Sequence, residues 1–598
     1  MAMNKQLMTL ALLVAILPMA VSFTNAQSTQ NKSTQKKADQ KKTAQDSAGQ
    51  KSAAQNSAAQ NSAEQNETQS VEDEAQIRKS MLLGDLSALD NDAVNLNSSL
   101  ARAVVKTEIA DVVWNLDKQW ARQLLKDAFE LALPDKETRR KLQKVKKGDN
   151  PLEPTTETIP QMLVRSKVLA VARRDPAFAD ELAKMAKEEM GELEEVHAYS
   201  SSAYAAFQAN DIKQATEYTR KIFDTDLSQG SAGGAIASIA VLNRDEADKL
   251  ILEYIQKLRG FPINSDNALR IFSGLRMAVF PPPLSIFQRK KIPVAGKEAM
   301  RAYSGFLIES LLNLESREPG AATRLNSFIP PQIWLFISQQ APELVNSYMK
   351  LEAVSGIPKQ SDGLQPSSLE ERRKAQYETL VRNARTNKSQ VEIEDALKMS
   401  LGRGDYETCR ELIDKLPAGD LRSKYSEDVN MREAISLLEK KDFDGAARIA
   451  GKLESVASLT QVYPQMIKFC VDKEDIQCVN SLAAELTRKL EKKAESPKAA
   501  LTLSRVAATV AAKDQTMAME LLRQAVSSAN AIDVKRTDQN PHRVEFDNKS
   551  FELLALNHES EMFQMAKSLD SRFYSYLALA AIYRGKAKAL LKKTSRGH

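Results

Sequence analysis

Residues 404–416 read GDYETCRELIDKL. Counted from Asp405, the residues Cys409, Leu412, Ile413 and Leu416 fall at +4, +7, +8 and +11, which is one face of an α-helix. Asp405 stands where that helix begins. A carboxylate there accepts from first-turn amides that have no carbonyl partner, contributing about 1 kcal/mol, and its charge suits the positive end of the helix. The small residue at +4 lets a second helix approach closely.

The same offsets recur along the chain. From Asp442 they give Ala446, Ile449, Ala450 and Leu453; from Asp475, Val479, Leu482, Ala483 and Leu486; from Asp514, Ala518, Leu521, Leu522 and Ala525. The first half repeats them after Asp117 (Ala121, Leu124, Leu125, Ala128), Asp175 (Ala179, Leu182, Ala183, Ala186) and Asp211 (Ala215, Tyr218, Thr219, Ile222). Asn243 heads Ala247, Leu250, Ile251 and Tyr254, and His558 heads Met562, Met565, Ala566 and Leu569. Successive heads lie 36 and 32 residues apart from Asp175 to Asn243, then 37, 33, 39 and 44 apart from Asp405 to His558. Each interval holds one further helix and two turns, so the pattern predicts an all-α solenoid of stacked helical hairpins.

GDYETC and KDFDGA resemble the turn and second helix of tetratricopeptide repeats. The resemblance covers the second helices of eight or nine units. The preceding helices lack that family's Trp, Leu, Gly and Tyr signature, its closing proline is mostly missing, and the spacing departs from a regular 34. What the resemblance implies is a stacked-hairpin fold and a role in binding a protein or peptide, with no ligand-contacting residue carried over.

Composition agrees with helices. Of 598 residues, 27% are charged and 42% hydrophobic, and glycine and proline number only 21 each, below the usual share for loop-rich β architectures. Residues 1–26 combine Lys5, an apolar stretch from Leu7 to Val21, and small Thr24 and Ala26, the pattern of a signal peptide. The expected location is therefore periplasmic or extracellular, with no transmembrane span in the mature chain. Residues 27–70 contain no aliphatic side chain larger than alanine and no aromatic. Such a segment cannot offset the entropy of ordering and reads as a disordered spacer rich in Gln, Asn, Ser, Ala and Lys. Of the formal net charge of +6, Lys5 supplies one, and the spacer, with six lysines against four acids, supplies two. The remainder is near neutral, which together with export argues against a nucleic-acid partner.

Two stretches break the pattern. One is the basic segment between Pro134 and Pro160; the other runs from Gly260 to Leu369 around Pro281–Pro283, with the segment near 260–300 expected to be irregular, although LIESLLNLE and IWLFISQQ within it are apolar enough for helices. SGIPKQSDGLQPSS at 355–368 reads as a linker. The expected domains are an N-terminal repeat lobe over 71–360 and a C-terminal one over 361–598.

Residues suited to chemistry are sparse. There is no HExxH, no Walker loop and no CxxC, and four histidines at 197, 542, 558 and 598 do not cluster by spacing. GSAGG at 230–234 lacks the following Lys-Ser/Thr of a phosphate loop and reads as a tight turn between hairpins. DTDLSQG at Asp224 places glycine at position seven rather than six, and Ala235 where a calcium loop needs Glu. Glu309-Ser310 and Glu315-Ser316 match the Glu-Ser pair of the superhelical soluble lytic transglycosylases, but that family's downstream motifs are absent. No catalytic, cofactor or metal residue is assigned, and no cofactor is expected.

Lys136, Arg139, Arg140, Lys141, Lys144, Lys146 and Lys147, opposed only by Glu137, form a patch for an anionic partner or a solvated helix end. Cys470 and Cys478 flank the capping Asp475 and either bond across the turn or pack as two thiols, while Cys409 occupies a core position. The leading expectation is an exported scaffold that binds a protein or peptide. The alternatives are a glycan-cleaving envelope enzyme and a small-ligand sensor or secretion accessory.

The spacer has nothing to contribute to a core. Deleting residues 27–70 should leave the thermal midpoint unchanged in a calorimetric scan; a drop of several degrees would show that it packs on the body.

Overall fold

The computed structural model describes residues 74–144, 159–281, 293–355, 366–386, 389–493, 496–532 and 546–594. The leader, the spacer and most of the 355–368 linker lie outside them. All regular structure among the described residues is helical.

The N-terminal arm comprises α1 (74–93), α2 (Ser99–Val113), α3 (Lys118–Leu131), α4 (Lys136–Gln143), α5 (Ile159–Ala172), α6 (Pro176–Met190), α7 (Glu192–Gln208), α8 (Ile212–Thr225), α9 (Ser231–Leu242), α10 (Arg244–Arg259), α11 (Ser265–Val279), α12 (Lys297–Arg317), α13 (Ala321–Arg324), α14 (Pro331–Gln340) and α15 (Val345–Ser355). The C-terminal arm comprises α16 (Pro366–Thr386), α17 (Gln390–Arg403), α18 (Tyr406–Lys415), α19 (Asp420–Glu439), α20 (Phe443–Ala450), α21 (Val456–Asp472), α22 (Ile476–Glu491), α23 (Pro497–Val510), α24 (Gln515–Asn530), α25 (Lys549–Leu554), α26 (Glu559–Lys567) and α27 (Arg572–Thr594). Each of the two stretches expected to be irregular contains a described helix: α4 lies within 134–160, and α11 and the start of α12 lie within 260–300. Charge-rich or proline-punctuated sequence hid them, because their apolar positions are too few or too interrupted to show a period.

The repeated heads behave as helix starts. The side chains of Asp117, Asp175, Asp211, Asn243, Asp405, Asp442, Asp475 and Asp514 each accept from the amide three residues ahead. His558 makes no such bond, and its Nε2 instead meets Gln515 Oε1 at 3.1 Å. The apolar faces they introduce are buried: Ala121, Ala446, Leu412 and Leu522 are 0% exposed.

Two turn geometries serve these starts. Before Asp211, Asp405, Asp442 and Asp475, the residues Asn210, Gly404, Lys441 and Glu474 take left-handed φ of 59, 72, 64 and 60°. That conformation turns the Asp amide back to the carbonyl five residues earlier, as from Asp211 to Ala206 at 2.9 Å and from Asp475 to Cys470 at 3.0 Å. Asp117, Asp175, Asn243 and Asp514 lack it, and there the cap residue itself is extended, with φ between −129 and −149°.

Packing follows hairpin order. The first helices of successive hairpins stack as α2, α5, α7, α9 and α11 in one arm and as α19, α21, α23, α25 and α27 in the other, with α18 packed between α17 and α19. Between hairpins, Asp175 pairs with Lys118 at 2.8 Å and with Arg122 on α3. The series does not stop at either terminus: α27 packs against α2. The arms therefore meet through their outer ends, far from the expected lobe boundary near residue 360.

At GSAGG the turn is confined to Gly230, with φ 65°, and the residues after it open α9 and form a helix crossing. Gly233 lies within α9 so close to Gly274 of α11 that a Cβ added to it would stand 1.9 Å from the Gly274 carbonyl oxygen, whereas one on Gly234 would meet nothing within 4 Å. Gly233→Ala should cost about 3 kcal/mol by forcing the helices apart. Gly234→Ala should be neutral or gain about 0.5 kcal/mol from helix propensity. Urea unfolding of the two variants checks the pair, and equal effects would contradict this crossing.

Candidate functional site

α4 carries several exposed basic side chains. Asp135 starts it, accepting from the amides of Glu137 and Thr138, each at 2.9 Å, and from Thr138 Oγ1 at 2.6 Å. One side of the helix is tied to α6. Arg139 pairs with Glu189, and Gln143 Nε2 donates to the carbonyls of Glu188 and Glu189 at 3.1 and 3.0 Å. Leu142 packs on the core from the same side.

Next to that tied side, about 100° around the helix, stand Lys136, Arg140 and Lys144, four residues apart and therefore in one row, all exposed. No ion pair or hydrogen bond ties these three to other described residues. Lys141 is exposed and pairs with Glu137 at 2.8 Å. Lys146 and Lys147 lie outside the described residues. Of the basic run, Arg139 thus serves the fold and three cations face solvent.

A second charged group was invisible in the sequence. Arg165 of α5 is 5% exposed and joins Glu194 of α7 at 2.8 Å and the Ala132 carbonyl at 3.0 Å. His197 Nδ1 lies 3.2 Å from the other Glu194 oxygen. Burial opposes ionisation of Glu194, but Arg165 and His197 outweigh it and hold the carboxyl well below the usual range. Burial likewise opposes protonation of His197, and Glu194 overcomes it to raise the imidazole above its ordinary value. The spacing of Glu194 and His197 signals one helix face, but Arg165 stands 29 residues away and no local pattern points to it. Phe129, Met162, Ser166, Leu169 and Ser201 complete a cleft with about 10 Å³ of interior space, room for no more than about one water molecule.

The remaining candidates have structural roles. Cys470 and Cys478 are joined by a disulfide across the α21–α22 turn, with Cα atoms 5.9 Å apart. Cys409 is buried, which pushes its thiol up to about 12. Asp224 pairs with Lys257 at 2.6 Å, and Asp226 caps a short turn by accepting from Ser228. Glu309 is exposed on α12. Glu315 accepts from the amides of Gly320 and Ala322, each at 2.7 Å, and these two bonds lower its pKa, the reverse of what a proton-donating acid needs. Among the described residues no group of His, Cys, Asp and Glu is arranged to hold a metal ion, and no helix is long and apolar enough to cross a membrane.

No protein-family model matches the chain, and no curated protein matches it. Among solved structures, one similar chain is described as a circular tandem repeat protein with novel repeat topology and enhanced subunit contact surfaces. The two share 12% identity over 83% of this chain and 99% of that one, with a TM-score of 0.13. A TM-score of that size carries no argument, and the helical-repeat architecture stands on the caps and packing described above.

Replacing Glu194 by Gln leaves Arg165 buried without its counter-charge and should cost about 3 kcal/mol at neutral pH. A lowered carboxyl pKa contributes stability that is full above about pH 4.5 and lost as pH falls through the folded value, so wild type and variant should converge in acid. The raised His197 works the other way: its contribution is full below about pH 6.5 and fades as pH climbs through the raised value. Denaturant titrations across pH check both directions.

Proposed function

We propose that this chain is an exported helical-repeat scaffold, without chemistry of its own, that binds an acidic segment of a partner protein. The observation that carries this reading is the row of Lys136, Arg140 and Lys144 on a helix whose adjoining side is fixed to the body. A rigid row of cations loses little entropy on meeting an acidic segment, because the backbone that presents them is already ordered. The acids nearby, Glu137, Glu188 and Glu189, limit the basic surface to this row, which fits a discrete acidic segment better than an extended polyanion. The apolar Leu142 points inward, so α4 lacks the exposed apolar face of a membrane-surface helix. Export rests on the signal-like residues 1–26.

The test is binding of a short poly-glutamate peptide, followed by fluorescence anisotropy at physiological salt. Wild type should bind and weaken as salt rises. Changing Lys136, Arg140 and Lys144 together to Glu should lower affinity about a hundredfold, since each exposed charge contributes about 0.5 kcal/mol and reversal doubles the effect. Unchanged affinity, with the fold intact by circular dichroism, would refute α4 as the contact.

A further inference from the structure

Nothing in the local sequence links α2 to α27, yet a charged cluster joins them across 476 residues. Arg584 of α27 pairs with Glu108 of α2, reaches Asp111 of α2 at 2.9 Å and lies 3.9 Å from Glu552 of α25. The side chains of Arg584, Glu108, Asp111 and Glu552 are 15, 18, 21 and 5% exposed. Around them, Arg174 pairs with Asp111, and Lys588 and Lys549 reach Glu552 at 2.7 and 2.6 Å. Lys167 of α5 is buried within the field of Glu108. Tyr576 adds a bond from its hydroxyl to the Asp92 carbonyl at 3.3 Å.

Charges in such a place are costly to leave half paired. Glu108 and Asp111 come from one arm, whereas Arg584, Lys588, Lys549 and Glu552 come from the other. Separating the arms returns the carboxylates and the guanidinium to water, and bringing them together is tolerable only when all are matched. Intermediate separations, with one partner dry and the other gone, are penalised. Within each arm, α2 keeps α3 and α5 as neighbours, and α27 keeps α25 and α26. Parting at this seam therefore leaves both hairpin stacks intact, with the chain still continuous through residues 356–365.

We infer that the docking of α27 on α2 is a latch, closed by the ion cluster around Arg584, and that its release separates the two arms without unfolding either. The latch is independent of the binding row on α4. Its working element is the C-terminal helix, so a partner or modification that neutralises Glu108, Asp111 or Arg584 would shift the chain from closed to open.

The experiment combines small-angle scattering with native-state hydrogen exchange on the full chain carrying Arg584→Met. The expected result is a larger radius of gyration and reduced protection of residues 99–113 and 572–594 together, with protection of 297–317 and 456–472 unchanged. Lys586→Met, which removes a pair to Glu559 on the neighbouring α26, should leave both readouts as in wild type. An unchanged radius and unchanged protection in Arg584→Met would overturn the proposal, because apolar contact alone would then close the seam. Loss of protection throughout the chain would overturn it as well, because the seam would belong to the global core. Should the variant fail to accumulate, wild-type exchange decides: α2 and α27 must open as a pair below the global unfolding free energy, and exchange only through global unfolding refutes the latch.

Discussion

Every hairpin here depends on satisfying the amides at the start of a helix. Those groups have no carbonyl partner in their own helix. An Asp or Asn side chain supplies the missing acceptor at eight starts, always to the amide three residues on. Because that bond fixes where the helix begins, it also fixes which residues face the neighbouring hairpin. Ala121, Ala446 and Ala518 are 0% exposed four residues past their caps for this reason. A one-residue shift of the cap would rotate the apolar face by about 100° and expose it.

The two turn geometries show how one cap chemistry joins helices in different ways. A left-handed residue before Asp211, Asp405, Asp442 or Asp475 gives a compact reversal with the bond to the fifth residue back. Lys441 and Glu474 adopt this conformation with full side chains, at a cost of about 1 kcal/mol each relative to glycine. The next two helices, packed on both sides of the turn, hold them there. Where the cap residue itself is extended, as at Asp175, side-chain pairs such as those to Lys118 and Arg122 pin adjacent hairpins. Burial opposes the charge on Asp175, yet these partners hold its carboxyl at about 2.

Electrostatics divides the surface charge from the buried charge. On α4, Lys136, Arg140 and Lys144 remain in water and are available to a partner at little cost. At the seam, Glu108, Asp111, Glu552 and Arg584 have left water and make one another's burial tolerable. The first arrangement suits reversible recognition of something outside the molecule, and the second suits a contact that is either complete or absent. Arg165 and Glu194 follow the second rule on a smaller scale between α5 and α7.

The sequence by itself determined the helices, their starting residues and their buried faces, because caps and apolar spacing act within about a dozen residues. It also placed the basic run and the Cys470 and Cys478 positions across one turn. It did not reveal α4 or α11 as helices, since a mostly charged segment and a proline-interrupted one carry little apolar period. Tertiary structure alone decided that Gly233 and Gly274 meet at a helix crossing, that Arg139 turns inward while Arg140 does not, that Arg165 finds Glu194, and that α27 closes on α2. Each of these joins residues tens to hundreds of positions apart, where the partner is chosen by which hairpins stack side by side, and no local pattern in the chain encodes that choice.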